Sequence, residues 1–316
     1  MAKLSKAREG TLQFAPRVRA RKFLPRVNWS AVKHDIKTEG VLGFIAYKVG
    51  MGTAIVKDST PASLTLNKKI AIPVTILEAP EMKIFSVRFY LNGKPIKDIV
   101  VSHDKELKKL VKVPASLPEF KAPDKFDDIT LQVYSLVKKT NFKKTPDMSE
   151  VAVNAPNKLE FVKSLIGKEL SIKDFAKHNL IDVRGLTCGR GFTGTVKRFG
   201  ISFKQHKSEK GRRRPGSLGP WHPARVTFRT PMAGQGGMHT RVHYNQRVIF
   251  ASTIAEKNIN RKDGFMHFGN LGSTSSYILV QGSVQGPQKR QVLLTSALRP
   301  TKKQMKKKFE FQELVQ

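Results

Sequence analysis

The chain has 316 residues, with 58 lysines and arginines against 24 aspartates and glutamates, and a formal net charge of +34. Its hydrophobic fraction of 39% is enough for a core, but a compact body with this excess of charge repels itself unless a polyanion binds it or extended arms disperse the charge. Nucleic acid is the usual polyanion, because each phosphate contact also releases counterions. A thermophilic or halotolerant surface is the alternative, although such surfaces normally balance the two signs.

The sequence contains no segment typical of membrane or secreted proteins. It has no window of about 18 apolar residues, and the N-terminal MAKLSKAREG lacks the apolar region of a signal peptide. The single cysteine, Cys188, excludes an internal disulfide and a cysteine-rich zinc site. We therefore expect a cytoplasmic protein with no membrane partner.

Basic residues are concentrated at the N-terminus and in one central segment. Residues 1–33 hold nine lysines and arginines and one acid, and residues 184–247 hold fourteen and one. Between residues 75 and 175 the balance is eighteen to fourteen, and the last basic tract is RPTKKQMKKKFE. This distribution predicts a near-neutral folded body with basic arms, although simple solvated charge is an alternative for the last tract.

Most of the body is predicted to form β-strands. The segment 43–58, GFIAYKVGMGTAIVKD, is rich in β-branched and aromatic residues and predicts two strands around a glycine-containing bend, and Asn92–Gly93 predicts a turn. Further strands are predicted within IAIPVTILEAP, KIFSVRFYLNGKP, ITLQVYSLV, SEVAVN, QRVIFAST, SYILVQGSV and RQVLLTSAL. Short strands with glycine-rich connections favour a barrel or sandwich.

Two helices are predicted after these early strands. The first lies within NKLEFVKSLIGKE, with Asn157 as its N-cap. Its apolar face comprises Leu159, Val162, Leu165 and Ile166. The second begins in SIKDFAK, where Ser171 and Asp174 have the spacing of a capping box. The final FEFQELVQ is predicted to be either a last strand or a disordered tail.

The segment 184–247 differs from the rest of the chain. Eleven glycines fall between Gly185 and Gly237 and no periodicity persists, so alone the segment could not bury enough apolar surface to offset its ordering entropy. It nevertheless contains Phe192, Phe199, Phe203, Trp221 and Phe228. We predict that it docks onto RNA, with aromatic rings stacking on bases and cations meeting phosphates. Packing of this segment onto its own body is the alternative.

One motif in this segment resembles a nucleotide-binding loop. GRGFTG, residues 189–194, matches G-x-G-x-x-G, and Glu209 follows at about twenty residues. The next residues, TVKRFGISFKQHK, predict no amphipathic helix whose N-terminus could receive a pyrophosphate. Thr195 and Val196 also stand where a P-loop requires Lys and Ser/Thr. We interpret these glycines instead as allowing the backbone to approach RNA closely.

A second motif, HTRVH, places His239 and His243 at the spacing of two zinc ligands. It lacks the glutamate of a zinc protease and a third ligand nearby, and Arg241 would repel a cation. The sequence therefore predicts no metal and no cofactor.

Five segments, in order, resemble the universal large-subunit ribosomal protein L-three family. They are AYKVGMGTAIVKD (46–58), VRGLTCGRGFTGTVKRFG (183–200), RRRPGSLGPWHPARV (212–226), AGQGGMHTR (233–241) and LVQGSVQGPQKRQV (279–292). The Trp–His pair at 221–222, the longer N-terminus and an insert near 79–178 resemble the archaeal and eukaryotic branch, and the modest length resembles its archaeal members. Two departures are Cys188, where the family usually has lysine, and Phe199, where it usually has tryptophan.

This resemblance implies a mainly β fold with an α/β insert, namely a translation-factor-type β-barrel with long basic RNA-binding extensions. The implied parts are a basic N-terminal extension (1–40), a discontinuous barrel body (41–78 and 179–300) that carries the 184–247 loop, an α/β insert (79–178) and a basic C-terminal tail (301–316). The family is structural and not enzymatic. It binds large-subunit rRNA, supports subunit assembly beside neighbouring ribosomal proteins and reaches toward the peptidyl transferase centre, with no small-molecule substrate.

The resemblance also places the family's loop tip at Gly219, Pro220, Trp221, His222 and Pro223. It maps the GTVKR element to residues 194–198 and the GSVxGP element to residues 282–287. From charge and resemblance together, the predicted RNA-binding residues are Arg17, Arg19, Arg21, Lys22, Arg190, Lys197, Arg198, Lys204, Lys207, Arg212, Arg213, Arg214, Gly219, Trp221, His222, Arg225, Gln235, His239 and Arg241.

Two other functions remain open from the sequence. One is a nucleotide-dependent enzyme, which rests on GRGFTG. The other is a regulatory RNA- or DNA-binding protein that acts outside the ribosome, which rests on charge alone.

Overall fold

The computed structural model describes residues 11–33, 39–140, 142–207 and 210–315. Glu209 and the first ten residues therefore lie outside the described residues. The chain divides into two compact units. We call residues 1–22 and 186–240 the loop unit, and residues 23–185 and 241–316 the body unit.

The described residues are mainly β-structure, as predicted. The strands are β1 (Gly40–Val41), β2 (Gly43–Asp58), β3 (Lys69–Glu78), β4 (Met82–Leu91), β5 (Lys94–Val100), β6 (Asp128–Ser135), β7 (Met148–Asn154), β8 (Leu180–Leu186), β9 (Gly191–Thr193), β10 (Gly234–Gly236), β11 (Thr240–Thr253), β12 (Ser276–Gln281), β13 (Gln291–Ser296) and β14 (Phe309–Val315). The helices are α1 (Trp29–Lys33), α2 (Lys158–Leu165), α3 (Ile172–Phe175), α4 (Thr195–Phe199) and α5 (Lys302–Lys306). None of these five has the length and hydropathy needed to cross a bilayer.

The larger sheet of the body unit has the strand order β13-β8-β11-β12-β3-β2-β14, and β13 also pairs with β2. The pairings therefore run in a closed circuit through β2, β3, β12, β11, β8 and β13. The 16-residue β2 makes this possible, because its first part pairs with β13 and the rest of the strand pairs with β3. Strand β14 lies outside the circuit and pairs with the last part of β2. The prediction of two strands over 43–58 is wrong, since one strand continues through a bulge between Lys48 and Gly50.

A second sheet has the order β1-β7-β6-β4-β5. Four of its strands come from the segment between β3 and β8, and β1, which precedes β2, joins them by pairing with β7. The predicted turn at Asn92–Gly93 joins β4 to β5, and both residues adopt positive φ (50° and 72°). Leu131, Val151 and Val162 of this region are buried in the same core cluster as Phe44 and Leu294 of the larger sheet. The body unit is thus held by one extensive apolar core, supplemented by a cluster around Tyr277.

The two predicted helices are present but short. Asn157 occupies the N-cap position of α2 without a side-chain hydrogen bond, so its predicted capping role is only positional. Ser171 caps α3 by accepting a hydrogen bond from the backbone N–H of Lys173. Residues Phe309–Val315 of the FEFQELVQ segment form strand β14. Of the two predicted alternatives, the last strand is therefore confirmed and the disordered tail is wrong.

The loop unit contains little regular structure. Strands β9 and β10 pair antiparallel, with Phe192 opposite Gln235. A Cβ on Gly236 would lie 2.5 Å from Thr193 Oγ1, so this ladder requires glycine. A one-turn helix, α4, follows the GRGFTG motif, where the sequence predicts no amphipathic helix that could receive a pyrophosphate. Five residues are too few to present the aligned dipole of a phosphate-binding helix.

Candidate nucleic-acid interface

The base of the long loop (residues 184–247) is joined to the N-terminal segment (residues 11–22) by the guanidinium of Arg198. Arg198 donates hydrogen bonds to the backbone carbonyls of Met232 (2.8 Å), Gln235 (3.0 Å) and Arg17 (3.3 Å). Burial lowers the pKa of this guanidinium, and repulsion from Arg17 lowers it further. Arg198 therefore links three positions of the backbone in the loop unit.

Arg17 reinforces the same joint from the N-terminal segment. It donates a hydrogen bond to the Arg198 carbonyl, and its guanidinium carbon lies 4.2 Å from the centre of the Phe199 ring. The guanidinium carbon of Arg198 lies 5.0 Å from the same centre. Phe199 thus keeps an aromatic face in cation–π contact, at the position where the resembling family usually has tryptophan.

Two more predicted RNA-binding residues lie in this joint. Gln235 accepts a hydrogen bond from Arg19 (3.3 Å) and donates to the carbonyls of Gly236 and Gly237. His239 Nδ1 lies 3.0 Å from the Val18 carbonyl. Arg17, Arg198, Gln235 and His239 therefore make hydrogen bonds within the loop unit, and their contact with RNA stays a prediction.

Most of the other residues predicted to bind RNA through positive charge are exposed to solvent. Those classed as exposed are Arg19, Arg21, Lys22, Arg190, Lys197, Lys207, Arg212, Arg213, Arg214 and Arg225. Arg212 and Arg213 lie over the Phe203 ring, at 5.8 and 5.0 Å from its centre. Lys204 is half-buried, and its backbone N–H donates to the Arg212 carbonyl (3.1 Å).

The described part of the loop unit contains basic side chains and no acidic ones. Across its described parts, residues 11–22, 186–207 and 210–240, there is no aspartate or glutamate. Cations without carboxylates repel one another, so bringing them together is favourable only when an external anion neutralises them. This is the electrostatic pattern of a surface that binds a polyphosphate.

The predicted loop tip forms an exposed turn. Trp221 is 89% exposed, and His222 beside it is also exposed. The turn is held from within by Thr230 Oγ1, which donates to the Leu218 carbonyl (2.8 Å), and by Ser217 Oγ, which donates to the carbonyl of Gly219 (3.1 Å). The Trp221 indole is therefore a solvent-exposed ring on a turn that is held by side-chain hydrogen bonds.

Arg241 belongs to the body unit, on β11, and is half-buried. Its carbonyl accepts a hydrogen bond from Gln285 (3.1 Å), which lies in the GSVxGP element. Lys48 holds the same element by donating to the carbonyls of Val284 (2.6 Å) and Gly286 (3.1 Å). This element is therefore fixed to β2, the long strand of the larger sheet.

The two enzyme-like motifs have structural roles. A Cβ on Gly189 would lie 3.2 Å from the Met238 side chain, and Gly191 has a φ of +63° opposite Gly236 in the β9–β10 ladder. These two glycines serve packing and turn geometry within the protein, and their close approach to RNA stays a prediction. In the described part of the chain, no three His, Cys, Asp or Glu side chains come together as metal ligands.

Two aromatic residues absent from the predicted RNA-binding set are the most exposed in the loop unit after Trp221. Phe192 is 81% exposed and Phe228 is 75% exposed. The sequence indicates such residues by placing an aromatic side chain inside a cationic, glycine-rich segment. A ring exposed to water is unfavourable there unless a binding partner covers it.

The described residues thus form a basic, mainly β protein. The described part of its irregular loop exposes cationic and aromatic side chains with no acidic residue among them. The family model of ribosomal protein L3 matches residues 1–112 and 97–313. The chain belongs to the ribosomal protein L3 family, as the sequence motifs predicted.

Three similar relatives of comparable length are archaeal proteins. The chain is 33% identical to large ribosomal subunit protein uL3 of Methanocaldococcus jannaschii, covering 94% of this chain and 92% of the relative. It is 36% identical to the protein of the same name in Methanococcus vannielii (94% and 93%) and 35% identical to that of Pyrobaculum neutrophilum (95% and 94%). The resemblance to archaeal members is therefore confirmed.

Proposed function

We propose that the chain is a structural rRNA-binding protein that helps large-subunit rRNA to fold and reaches toward the peptidyl transferase centre through its central loop. As a family member it is a ribosome-bound, cytoplasmic protein of the large subunit. Its partners would be large-subunit rRNA and neighbouring ribosomal proteins. Its role would be architectural, without catalysis.

The observation that carries this proposal is the charge of the loop unit. Its described residues include many exposed lysines and arginines and no carboxylate. RNA helices repel one another as they pack, and cations threaded between them neutralise that repulsion. The loop and the N-terminal segment would therefore act together, since Arg17 and Arg198 join them.

The body unit would provide the rigid platform. The closed circuit of strand pairings supports a translation-factor-type β-barrel as its architecture. The segment 79–178 would be the α/β insert, and residues 1–40 and 301–316 would supply basic residues at the two ends of the body. Within these ends, Trp29 is part of the body core and β14 pairs with β2. A rigid body with cationic extensions separates the two tasks, because the body folds by burial and the extensions bind by charge.

The loop tip would place Trp221 near the catalytic RNA. Its flanking prolines limit the conformations of the tip, which reduces the entropy lost on binding. A single stacking contact contributes only about 1–3 kcal/mol, so Trp221 would influence translation more than attachment.

Sedimentation of the tagged chain tests the proposal. We expect it to sediment with large ribosomal subunits at moderate salt and to be released only at high salt. Recovery mainly in the ribosome-free fraction would instead support a separate regulatory protein, and saturable binding of NAD or ATP would support a nucleotide-dependent enzyme.

The Trp221→Ala variant tests the assigned division of labour. It should fold, bind rRNA and enter large subunits, but lower the rate of translation by those subunits. Loss of rRNA binding altogether would contradict the role given to the tip.

A further inference from the structure

A cavity of about 630 Å³ lies within the loop unit, between the N-terminal segment and the long loop. Its walls are largely apolar and include Leu12, Pro16, Phe199, Val226, Phe228 and Met232. Arg17 and Arg198 also line it. A cavity of this size accommodates one nucleoside-sized group but not a nucleic-acid duplex.

Phe228 gives this cavity an open aromatic face. Its side chain is 75% exposed, and among the described residues it makes no ring–ring or cation–π contact. Phe199 forms another aromatic part of the wall, and the Arg17 guanidinium packs against it. A flat group that enters the cavity can therefore stack on one free ring.

The two arginines retain hydrogen-bond donors for a polar or anionic group. A guanidinium has five N–H donors. Arg198 uses three of them on backbone carbonyls, and Arg17 uses two, on the carbonyls of Arg198 and Thr11. The donors that remain lie beside an apolar, aromatic-walled space.

We propose that this cavity binds one unstacked nucleobase of single-stranded RNA, with Phe228 as the stacking platform and Arg17 and Arg198 beside the sugar–phosphate. The proposal rests on the proposed rRNA-binding function and specifies a base-binding subsite within it. Every base has a π-face, so the subsite would hold a looped-out nucleotide without strong sequence preference.

Charge decides between RNA and an apolar protein segment as the occupant. A hydrophobic peptide side chain would fill the walls but leave both guanidiniums without an anion, in a unit whose described residues contain no carboxylate. A nucleotide supplies a flat apolar ring and a phosphate on the same group, which matches both features of the cavity.

Photo-crosslinking tests this assignment with the full-length protein. The probe is a short single-stranded RNA that carries 5-iodouridine, which crosslinks to aromatic side chains stacked on it under long-wave ultraviolet light. We expect the crosslinked nucleotide to map to Phe228. Phe192 is the internal control, because it is equally exposed, lies in the same unit and does not line the cavity.

Affinity for the same RNA provides the second measurement. Phe228→Leu keeps apolar volume but removes the flat ring, so we expect binding to weaken by roughly 5- to 100-fold. The slope of log affinity against log salt should stay unchanged because no phosphate contact is lost. Phe228→Tyr should restore affinity, and Phe192→Leu should change it less than Phe228→Leu does.

The outcomes separate this proposal from the proposed function. Salt-dependent RNA binding with no crosslink at Phe228, or with equal losses in Phe228→Leu and Phe192→Leu, would overturn the base-binding subsite and leave rRNA binding intact. That is the result expected if a protein segment occupies the cavity. Absence of salt-dependent RNA binding in the unaltered protein would overturn both.

Discussion

The body unit and the loop unit are stabilised in different ways. The body unit buries a continuous apolar core that includes Phe44, Leu131 and Leu294. In the loop unit, the Arg198 guanidinium donates hydrogen bonds to backbone carbonyls, and the aromatic side chains of Trp221 and Phe192 are exposed to solvent. One chain therefore combines a region that folds by excluding water with a region whose described residues carry unbalanced positive charge, which an external anion would neutralise.

The largest expected difference between the units is their response to loss of a leucine side chain. Leu294 is fully buried on β13, so Leu294→Ala should lower the free energy of unfolding by about 2–5 kcal/mol. Leu218 in the loop unit is 40% exposed, and Leu218→Ala should cost less than about 0.5 kcal/mol.

Urea unfolding followed by tryptophan fluorescence measures both changes. The chain has two tryptophans, Trp29 buried in the body unit and Trp221 exposed in the loop unit. A Trp221→Phe background therefore follows Leu294→Ala through Trp29 in the body unit, and the unaltered background follows Leu218→Ala through Trp221 in the loop unit. Equal destabilisation by the two leucine variants would contradict the contrast between the units.

The pH dependence of the body unit should depend on one buried carboxyl group. Glu78 is fully buried and makes no well-formed hydrogen bond within the described residues. A weak interaction with Ser275 opposes only part of the effect of burial on its pKa. Burial raises its pKa from 4.5 to about 7. The folded state therefore binds more protons than the unfolded state between these values, and stability falls as pH rises from 4.5 through 7.

Glu78→Gln should remove this pH dependence and stabilise the protein at about pH 8 by up to about 3 kcal/mol. Urea unfolding at about pH 5 and pH 8 measures the effect. Glu119→Gln, at an exposed position, is the matched control and should leave the pH dependence as it is. A Glu78→Gln variant that loses stability at pH 8 would show that the charged carboxylate has a partner.

A third prediction concerns the contribution of loop-unit charge to rRNA affinity, and it uses the three consecutive arginines Arg212, Arg213 and Arg214. Replacing all three by alanine should weaken binding to large-subunit rRNA on the order of 100-fold at low salt and reduce the salt slope by about two to three. The matched control removes three exposed lysines of the body unit, Lys105, Lys108 and Lys109. Filter binding across a salt series compares them, and equal losses would mean that net charge, and not its position, governs binding.

The smallest expected effect concerns the geometry of the loop base. Gly237 has a φ of +73°, and a Cβ there would overlap the carbonyl oxygen of Cys188. Gly237→Ala should cost about 1–3 kcal/mol of local stability and accelerate amide exchange at Arg190, whose N–H donates to the Gly236 carbonyl. Gly216→Ala, where a Cβ meets nothing within 4 Å, should leave that exchange rate unchanged.

Side-chain patterns made the body unit largely predictable from the sequence. Strands such as Asp128–Ser135 and Gln291–Ser296 were found because β-branched and apolar residues mark them. The continuity of β2 was missed because glycines at 50 and 52 usually end a strand, whereas here a bulge and pairing with β3 carry the strand past them.

The loop unit was less predictable because backbone groups hold it together. Strands β9 (Gly-Phe-Thr) and β10 (Gly-Gln-Gly) have three residues each, which is too short for a side-chain period to be detected. Charge correctly located the cationic residues on this unit, but it could not show that Arg17 and Arg198 hydrogen-bond to protein carbonyls. A basic residue in the sequence has the same appearance whether its partner is a phosphate or the backbone.

The joint at Arg198 also constrains the order of events during synthesis. The N-terminal segment leaves the exit tunnel first, yet its partners at Arg198, Gln235 and His239 are made about two hundred residues later. Until then the nascent chain exposes an unpaired cationic segment in a cell full of competing RNA. Co-translational shielding of that segment, by a chaperone or by delayed release, would therefore favour productive delivery of the newly made protein.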